Sequence, residues 1–288
     1  MEKTGTDRLF CVVTICYNAE NTIKKTIESV LNQNSINYEY IIEDGSSNDS
    51  TVEIAESYSE KFKEKGISYK IISKKDDGIY DAMNKAVSVS EGRYVIFMNS
   101  DDCFYSKDVL SNVEKSLKSN YKSGADYPDI IYGDCIVKEL NMYFKFRKCF
   151  DLIKERMPFS HQACFAKREL LISAPLNTKY KITADYDFLL KAYINGNSFY
   201  DCNEIIALTT ADGVSSVNML DTFIEVNKVC NALNVPRFSE KAYNKKLKEM
   251  KIKQFVLSYF PIIIKRAIRK SQIKNRGQIT NVILPPWA

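Results

Sequence analysis

Short apolar runs alternate with segments of helical periodicity through the first hundred residues, and this alternation constrains the fold more than any other feature. Four runs rich in β-branched and aromatic residues are predicted strands: 9–15, 38–42, 67–73 and 93–98. The segments between them repeat apolar residues at helical spacing. Three successive β-loop-α units predict an α/β fold with a mainly parallel, twisted sheet flanked by helices, because crossovers between parallel strands are right-handed.

Acidic or aromatic residues follow each of these predicted strands. Tyr17 follows the first, Asp44 the second, Asp77 the third, and Asp101 with Asp102 the fourth. In open α/β sheets ligands bind beyond the carboxyl ends of the strands. We therefore expect these five side chains to gather along one edge of the sheet.

Each of these residues has a functional and a structural interpretation. Two adjacent carboxylates such as Asp101 and Asp102 suit Mg²⁺ or Mn²⁺, which can neutralise a leaving diphosphate, but they also suit an exposed helix start. Asp44 lies among Gly, Ser and Asn, which are residues that turns favour. Tyr17 could stack on a nucleobase or pack on the sheet.

The composition limits the class of protein. With 45% hydrophobic and 27% charged residues, the chain is typical of a folded domain. None of its eight cysteines forms a Cys-x-x-Cys pair, and several lie in apolar runs, so we interpret them as reduced core residues. The first ten residues do not resemble a signal peptide, and no apolar run reaches the ~18 residues that cross a bilayer. We expect a cytoplasmic protein.

The charge is distributed unevenly along the chain. Residues 241–276 contain twelve Lys and Arg and one acid, whereas the rest carries a net charge of −6. Six apolar residues recur at near-helical spacing in this basic segment: Ile252, Phe255, Val256, Tyr259, Phe260 and Ile263. We predict a helix on an anionic membrane surface, at the inner face of the cell membrane, or else a helix packed on the main domain. No nucleic-acid recognition motif accompanies the cluster, so no nucleic-acid partner is expected.

Considered together, several stretches form a recognisable pattern: VVTICYNAENTIKKTIESVLNQ, YEYIIEDGSSNDST and DDGIYDAMNKAVSVSEGRYVIFMNSDD. In this order they resemble the inverting family 2 glycosyltransferases of the GT-A fold, in particular bacterial enzymes of exopolysaccharide and colanic-acid-type biosynthesis. The resemblance spans residues 8–216. It implies a divalent metal, a nucleotide diphosphate sugar donor and a glycan or lipid-linked glycan acceptor. It also implies a catalytic domain over 1–217 and a helical, basic C-terminal extension over 218–288.

The resemblance assigns roles to individual residues. Tyr17 matches the aromatic residue that lies against the nucleotide base, and Asp44 is similar to the acid that contacts the base. Asp102 matches the acid that ligates the metal, with Asp101 nearer the ribose or donor sugar. Further contacts to the nucleotide or diphosphate are implied in the third stretch, at Asp77, Asn84 and Lys85.

The base that activates the acceptor is commonly the Asp of a Glu-Asp pair at a helix start in this family. Asp185 matches that position, while Ala184 replaces the Glu and leaves its acceptor contact without a counterpart. Asp187 is the rival, although at most one of the two acids can serve because they face different directions. His161, the only histidine, precedes them in a Ser-His-Gln stretch and is expected to contact the acceptor or the diphosphate.

Two other functions are considered. A sugar-phosphate nucleotidyltransferase would require a Gly-rich phosphate loop with a basic residue near the N-terminus, and residues 13–20 lack one. An inactive membrane-associated scaffold would be expected to have lost the acids that are present here.

The loop 212–216 resembles a segment that closes over the donor, with Asp212 in place of its first glycine.

Overall fold

The computed structural model describes most of the chain: residues 8–140, 142–146, 148–211, 218–260 and 285–287, with positions 264, 268 and 271. The described strands form one sheet. They are β1 Phe10–Cys16, β2 Tyr38–Asp44, β3 Ser68–Ser73, β4 Tyr94–Phe97, β5 Cys103–Phe104, β6 Ile130–Glu139, β7 Met142–Lys145, β8 Cys164–Lys167 and β9 Phe199–Thr210.

The described helices lie between and after these strands. They are α1 Ile23–Leu31, α2 Thr51–Glu56, α3 Ser59–Glu64, α4 Ile79–Val89, α5 Val109–Asn120, α6 Arg168–Ser173, α7 Ala184–Ile194, α8 Met219–Ala232 and α9 Glu240–Ser258. Short 3₁₀ turns occupy 124–126, 150–152 and 161–163. Among the described residues no helix is both long enough and apolar enough to span a bilayer.

The sheet has the order β3-β2-β1-β4-β8-β6-β9-β5, and β7 pairs with β6. The first four strands along the chain pair in parallel, as predicted. The second half is mixed: β8 runs antiparallel between β4 and β6, and β5 runs antiparallel to β9. The mixed half of the sheet, from β8 to β5, therefore pairs segments that the sequence pattern alone did not pair.

Helices cover both faces of the sheet, which explains why its strands are apolar on both sides. Along β1, Phe10 and Val12 pack towards α1 and α5, whereas Cys11 and Val13 pack towards α4 and α7. All eight cysteines are free thiols, and only Cys149 is not buried, which confirms their interpretation as core residues.

Two antiparallel pairings determine where the polar residues near the sheet edge lie. Ile96 of β4 pairs with Phe165 of β8, so the 3₁₀ turn 161–163 that precedes β8 lies beside the carboxyl end of β4. Cys103 pairs with Leu208, so the end of β9 lies beside the residues that follow β4. The mixed half of the sheet thus completes the edge that the parallel half begins.

The C-terminal helices pack beside α7. Val226, Val229 and Cys230 of α8 are buried against Tyr186 and Leu190 of α7. The start of α9 contacts α8, where the rings of Phe223 and Tyr243 stack with centroids 5.6 Å apart. Near the chain end, Trp287 donates a hydrogen bond from Nε1 to the carbonyl of Phe104 at 2.9 Å.

The sequence Ser50-x-x-Glu53 has the pattern of a capping box at the start of α2, but the Ser50 side chain makes no capping hydrogen bond. Asp49 instead accepts a hydrogen bond from the main-chain N–H of Thr51 at 3.0 Å. The neighbouring acid is the better acceptor because it is ionised.

Candidate active site

Asp44 ends β2 beside Cys16 of β1 and is buried. Its carboxylate accepts hydrogen bonds from the main-chain N–H of Ser47 at 3.0 Å and the Ser73 hydroxyl at 2.6 Å, and also from the Ser47 hydroxyl. Ser47 Oγ in turn accepts the N–H of Asn18 at 2.8 Å. Asp44 therefore orders the loop beside Tyr17, and its contact with a base stays a prediction.

Tyr17 projects from the end of β1 with 60% of its surface exposed. Its ring lies beside Gly45: a methyl group added there would lie 3.4 Å from Tyr17 Cδ2 and 2.7 Å from Asp76 Oδ2. Tyr17, Gly45 and Asp76 thus lie close together in the loops that follow β1, β2 and β3. Sequence analysis missed Asp76, although its position beside Asp77 after β3 carried the same signal.

The other three predicted nucleotide contacts lie on or near α4. Asp77 is exposed, and its N–H donates to Asp81 Oδ2 at 3.0 Å. The side-chain amide of Asn84 donates a hydrogen bond to the carbonyl of Leu176 at 2.8 Å and accepts one from the main-chain N–H of Leu176 at 2.9 Å. Lys85 pairs with Asp81 at 2.7 Å. In this structure Asn84 and Lys85 therefore serve local packing, and donor roles for all three stay predictions.

Asp101 and Asp102 follow β4, as predicted, but their surroundings differ. Asp101 Oδ2 accepts a hydrogen bond from the Thr210 hydroxyl at 2.8 Å. Asp102 is 2% exposed and accepts a hydrogen bond from Gln162 Nε2 at 3.0 Å. Burial, followed by the negative charge of Asp101, raises the pKa of the Asp102 carboxyl to about 7.

The turn 161–163 connects Asp102 with Asp185. Gln162 faces Asp102, while the adjacent His161 places Nδ1 3.2 Å from Asp185 Oδ2. Burial lowers the pKa of His161, but its hydrogen bond to Asp185 and the charges of Asp185 and Asp102 outweigh burial, so the pKa lies above its usual value. His161 Nε2 is buried and has no hydrogen-bond partner among the described residues.

Asp185 lies in the first turn of α7 with its carboxylate held from several directions. Its Oδ1 accepts a hydrogen bond from the main-chain N–H of Tyr186 at 2.8 Å, and the Tyr80 hydroxyl lies 3.3 Å from the same oxygen. With His161 on Oδ2, a lone pair of Oδ2 remains for a further donor. Tyr80 was not singled out in the sequence, although it belongs to the stretch that carries the resemblance.

Asp187 faces away from this cluster. Its carboxylate is buried and pairs with Lys191 Nζ at 2.5 Å, one turn further along the same helix. Of the two rival acids, only Asp185 contacts His161. The loop 212–216 lies outside the described residues, as does most of the basic segment beyond 260.

The polar residues at this edge thus form two groups at the carboxyl ends of adjacent strands. One group surrounds Tyr17 and Asp44 after β1 and β2, and the other joins Asp102 to Asp185 beside β4 and β8. The first group offers an exposed aromatic ring, and the second offers carboxylates that suit a cation or a hydrogen-bond donor.

A sequence model described as glycosyl transferase family 2 matches residues 11–172, more than half of the chain. The chain belongs to glycosyl transferase family 2. It is an enzyme that transfers a glycosyl group, as the names of its relatives also indicate.

The family 2 enzyme is similar to a PGL/p-HBAD biosynthesis glycosyltransferase of Mycobacterium bovis, with 30% identity over 192 residues, 65% of this chain and 70% of the relative. It is 29% identical over 132 residues, 46% of this chain and 50% of the relative, to WfgD of Escherichia coli, named UDP-Glc:alpha-D-GlcNAc-diphosphoundecaprenol beta-1,3-glucosyltransferase.

Among solved structures, the family 2 enzyme resembles the mannosyltransferase PcManGT of Pyrobaculum calidifontis in complex with GDP-Man and Mn²⁺. The TM-score is 0.59 at 14% identity, and the likeness covers 83% of this chain and 68% of that one. Together with the family match, this likeness shows the GT-A fold that the sequence predicted.

The residues of the glycosyltransferase fit a divalent cation at Asp102. Two carboxylates are adjacent in sequence, and burial, followed by the charge of Asp101, raises the pKa of Asp102. Among the described residues no Lys or Arg forms an ion pair with either carboxylate. The described residues contain no group of three or more His, Cys, Asp or Glu placed to hold a metal ion. A small number of protein ligands is enough for Mg²⁺ or Mn²⁺, because these ions take several oxygens from substrate phosphates and water.

Proposed function

We propose that this enzyme is a metal-dependent, inverting glycosyltransferase of bacterial surface polysaccharide biosynthesis. It moves a sugar from a nucleotide diphosphate sugar to a glycan or lipid-linked glycan acceptor. The observation that carries the proposal is the turn 161–163, which contacts Asp102 through Gln162 and Asp185 through His161. These contacts support the proposal that the acid that binds the cation and the acid that accepts the proton of the attacking hydroxyl belong to one site.

Asp185 is the general base of the proposed reaction. The acceptor hydroxyl donates to the remaining lone pair of Oδ2, and its proton passes to Asp185 as the acceptor oxygen bonds to the anomeric carbon. The bond from that carbon to the diphosphate oxygen breaks, and the nucleoside diphosphate leaves from the opposite face. A single displacement inverts the configuration and requires no enzyme nucleophile.

Asp102, assisted by Asp101, is the proposed site of the Mn²⁺ or Mg²⁺ ion. Such an ion supplies positive charge to the leaving diphosphate. His161 Nε2, which lacks a partner among the described residues, is placed to donate to the same diphosphate or to the acceptor. The raised pKa of His161 favours its charged form, which suits an anionic partner.

The nucleotide base is proposed to lie against Tyr17, beside Gly45 and Asp76. An exposed aromatic ring stacks on any base, whereas a nearby carboxylate accepts hydrogen bonds from base or ribose donors. Asp44 orders the loop beside Tyr17, and Asp77 with Lys85 is proposed to make further contacts to the nucleotide or diphosphate.

The acceptor is proposed to reach the site at a membrane surface through α9. Five apolar side chains on and just beyond its second half are each at least 38% exposed: Ile252, Phe255, Val256, Tyr259 and Phe260. Six lysines lie along residues 241–253. Exposed apolar and basic side chains on one helix suit an anionic lipid surface better than packing on the main domain. Such a location fits a lipid-linked acceptor.

Sedimentation with vesicles tests the membrane proposal. The full chain should sediment with vesicles containing anionic phosphatidylglycerol but not with neutral ones, and high salt should release it. Replacing both Ile252 and Tyr259 by serine should abolish binding. Ile36→Ser, which removes an equally exposed apolar side chain from another part of the surface, is the matched control. Equal sedimentation of all three proteins would contradict the proposal.

A panel of nucleotide sugars tests the activity itself. Purified enzyme with Mn²⁺ should release nucleoside diphosphate from at least one UDP- or GDP-sugar, and chelation should stop the release. Asp102→Ala should lose metal-dependent donor binding in calorimetry. Release of pyrophosphate from a nucleoside triphosphate and a sugar phosphate would favour a nucleotidyltransferase. A protein that binds the donor but transfers no sugar to any acceptor fraction would favour the inactive scaffold.

A further inference from the structure

The segment that carries Asp185 is held by a carboxylate from a distant part of the chain. Glu225, on α8, accepts hydrogen bonds from the main-chain N–H groups of Lys181 at 2.9 Å, Ile182 at 2.9 Å and Thr183 at 3.1 Å. The Thr183 hydroxyl also donates to it at 3.2 Å. Four donors on one carboxylate therefore fix three consecutive residues directly before α7.

The same segment is held from its other side by Tyr80. The Tyr80 hydroxyl donates to the carbonyl of Ile182 at 2.7 Å and lies 3.3 Å from Asp185 Oδ1. Glu225 and Tyr80 thus bond the N–H and the C=O of one residue, Ile182. Rotation of this segment would move Asp185, which follows Ile182 by only three positions.

Local capping does not provide this restraint. The Thr183 side chain makes no capping bond to the first turn of α7. Ala184 is buried and has no polar side chain. The bonds that restrain residues 181–183 therefore come from elsewhere in the fold.

α8 is itself packed firmly enough to serve as the support. Val226 and Val229, which adjoin Glu225 on the helix, are buried against Tyr186 and Leu190 of α7. The carboxylate is thus placed by the same contacts that place the helix carrying Asp185. Glu225 lies beyond residue 172, where the family match ends, and beyond residue 217, where the catalytic domain was expected to end.

We propose that Glu225 is a positioning residue for the general base and that the catalytic unit extends through α8. The inference rests on the proposed role of Asp185. Glu225 contacts neither substrate nor reacting atoms; it fixes the angle at which Asp185 meets the acceptor hydroxyl. A base displaced by about 1 Å can lose 10²-fold in rate.

Two substitutions and one control test this role in the full-length protein. Glu225→Ala removes every acceptor, and we expect kcat to fall about 100-fold. Glu225→Gln keeps one carbonyl oxygen and should retain roughly a tenth of the wild-type kcat. Asp221→Asn removes an exposed charge from the same helix and should leave kcat unchanged. Calorimetric affinity for the nucleoside diphosphate with Mn²⁺ should stay within about twofold for all three, since a positioning role affects turnover rather than donor binding.

Hydrogen exchange supplies a readout that does not require activity. Exchange at the amides of 181–183 should accelerate strongly in Glu225→Ala, while the amides of β1 keep their protection. A Glu225→Ala enzyme with wild-type kcat would overturn the inference, as would a loss of donor affinity as large as the loss of kcat. A wild-type enzyme that transfers no sugar would count against the proposed function instead, so the two failures are distinguishable.

Discussion

Asp102 is a carboxyl group whose surroundings disfavour its charge. It is almost completely buried, and Asp101 adds a second negative charge. With a pKa of about 7 in the fold against an ordinary value of 3.8, the folded protein binds more protons than the unfolded chain between about pH 4 and pH 7. Asp102 therefore lowers the free energy of unfolding as the pH rises through that window. Above pH 7 the whole of this destabilisation is present.

Asp102→Asn should accordingly stabilise the metal-free protein at pH 8, by roughly 2–4 kcal/mol, because the asparagine is neutral and keeps an acceptor for Gln162. The gain should shrink as the pH falls below 7 and nearly disappear at pH 4. Urea unfolding with a chelator present measures both. Added Mn²⁺ should stabilise only the wild type. A variant less stable than the wild type at pH 8 without metal would show that Asp102 is not electrostatically strained.

Gly45 leaves room for the close approach of Asp76 and Tyr17. In Gly45→Ala the new methyl group would overlap the tip of the Asp76 side chain, which can rotate away at little cost. We expect nucleotide affinity to fall about tenfold while the melting temperature stays within a few degrees. In Gly124→Ala, outside the site, the new methyl group would meet the flexible tip of the Arg93 side chain in a similar way, so this variant serves as the control. Unchanged nucleotide affinity in Gly45→Ala would place the base elsewhere.

At the scale of elements, the turn 161–163 should give its two polar residues separable effects. Gln162→Ala removes a donor that favours the ionised form of Asp102, so Mn²⁺ and nucleotide affinity near pH 7 should fall about three- to tenfold with kcat at saturation largely kept. His161→Ala removes the hydrogen bond that orients Asp185, so its main effect should be on kcat. Steady-state kinetics with calorimetry separates the two. Identical profiles for both variants would mean that the turn acts only as a structural unit.

The parallel half of the sheet could be predicted because each of its strands is a continuous apolar run followed by a polar loop. All four predicted strands are present, with bounds within two residues. The convergence of Tyr17, Asp44 and Asp102 on one edge followed from the parallel order alone. These predictions depend on local pattern and on a general rule of topology.

The rest of the site depends on long-range pairing, which a local pattern does not encode. The antiparallel insertion of β8 beside β4 brings Gln162 to Asp102, sixty positions earlier in the chain. Glu225 reaches the Asp185 segment from a helix that looked like a separate extension. Asn84 matched a family position by sequence, yet its amide bonds the main chain of Leu176.

At the scale of the whole molecule, the proposed chemistry needs groups from both halves of the fold. The parallel half supplies Tyr17 and the acid Asp102, and the mixed half with α7 and α8 supplies His161 and Asp185. The chain end also returns to this sheet, since Trp287 bonds the edge strand β5 directly after Asp102 and Cys103. Donor binding and base catalysis should therefore be separable by substitution, although we propose that they share one site.

Comparison of Asp185→Asn with the wild type tests this account most directly. The measurement is kcat for sugar transfer together with the calorimetric affinity for the nucleotide sugar in Mn²⁺, with Asp187→Asn as the matched control on the same helix. We expect Asp185→Asn to lose at least about 10³-fold in kcat while its donor affinity stays within about threefold, and Asp187→Asn to keep kcat within about tenfold. An Asp185→Asn enzyme that retains near-normal kcat would contradict the assignment of the base and the single site built around it.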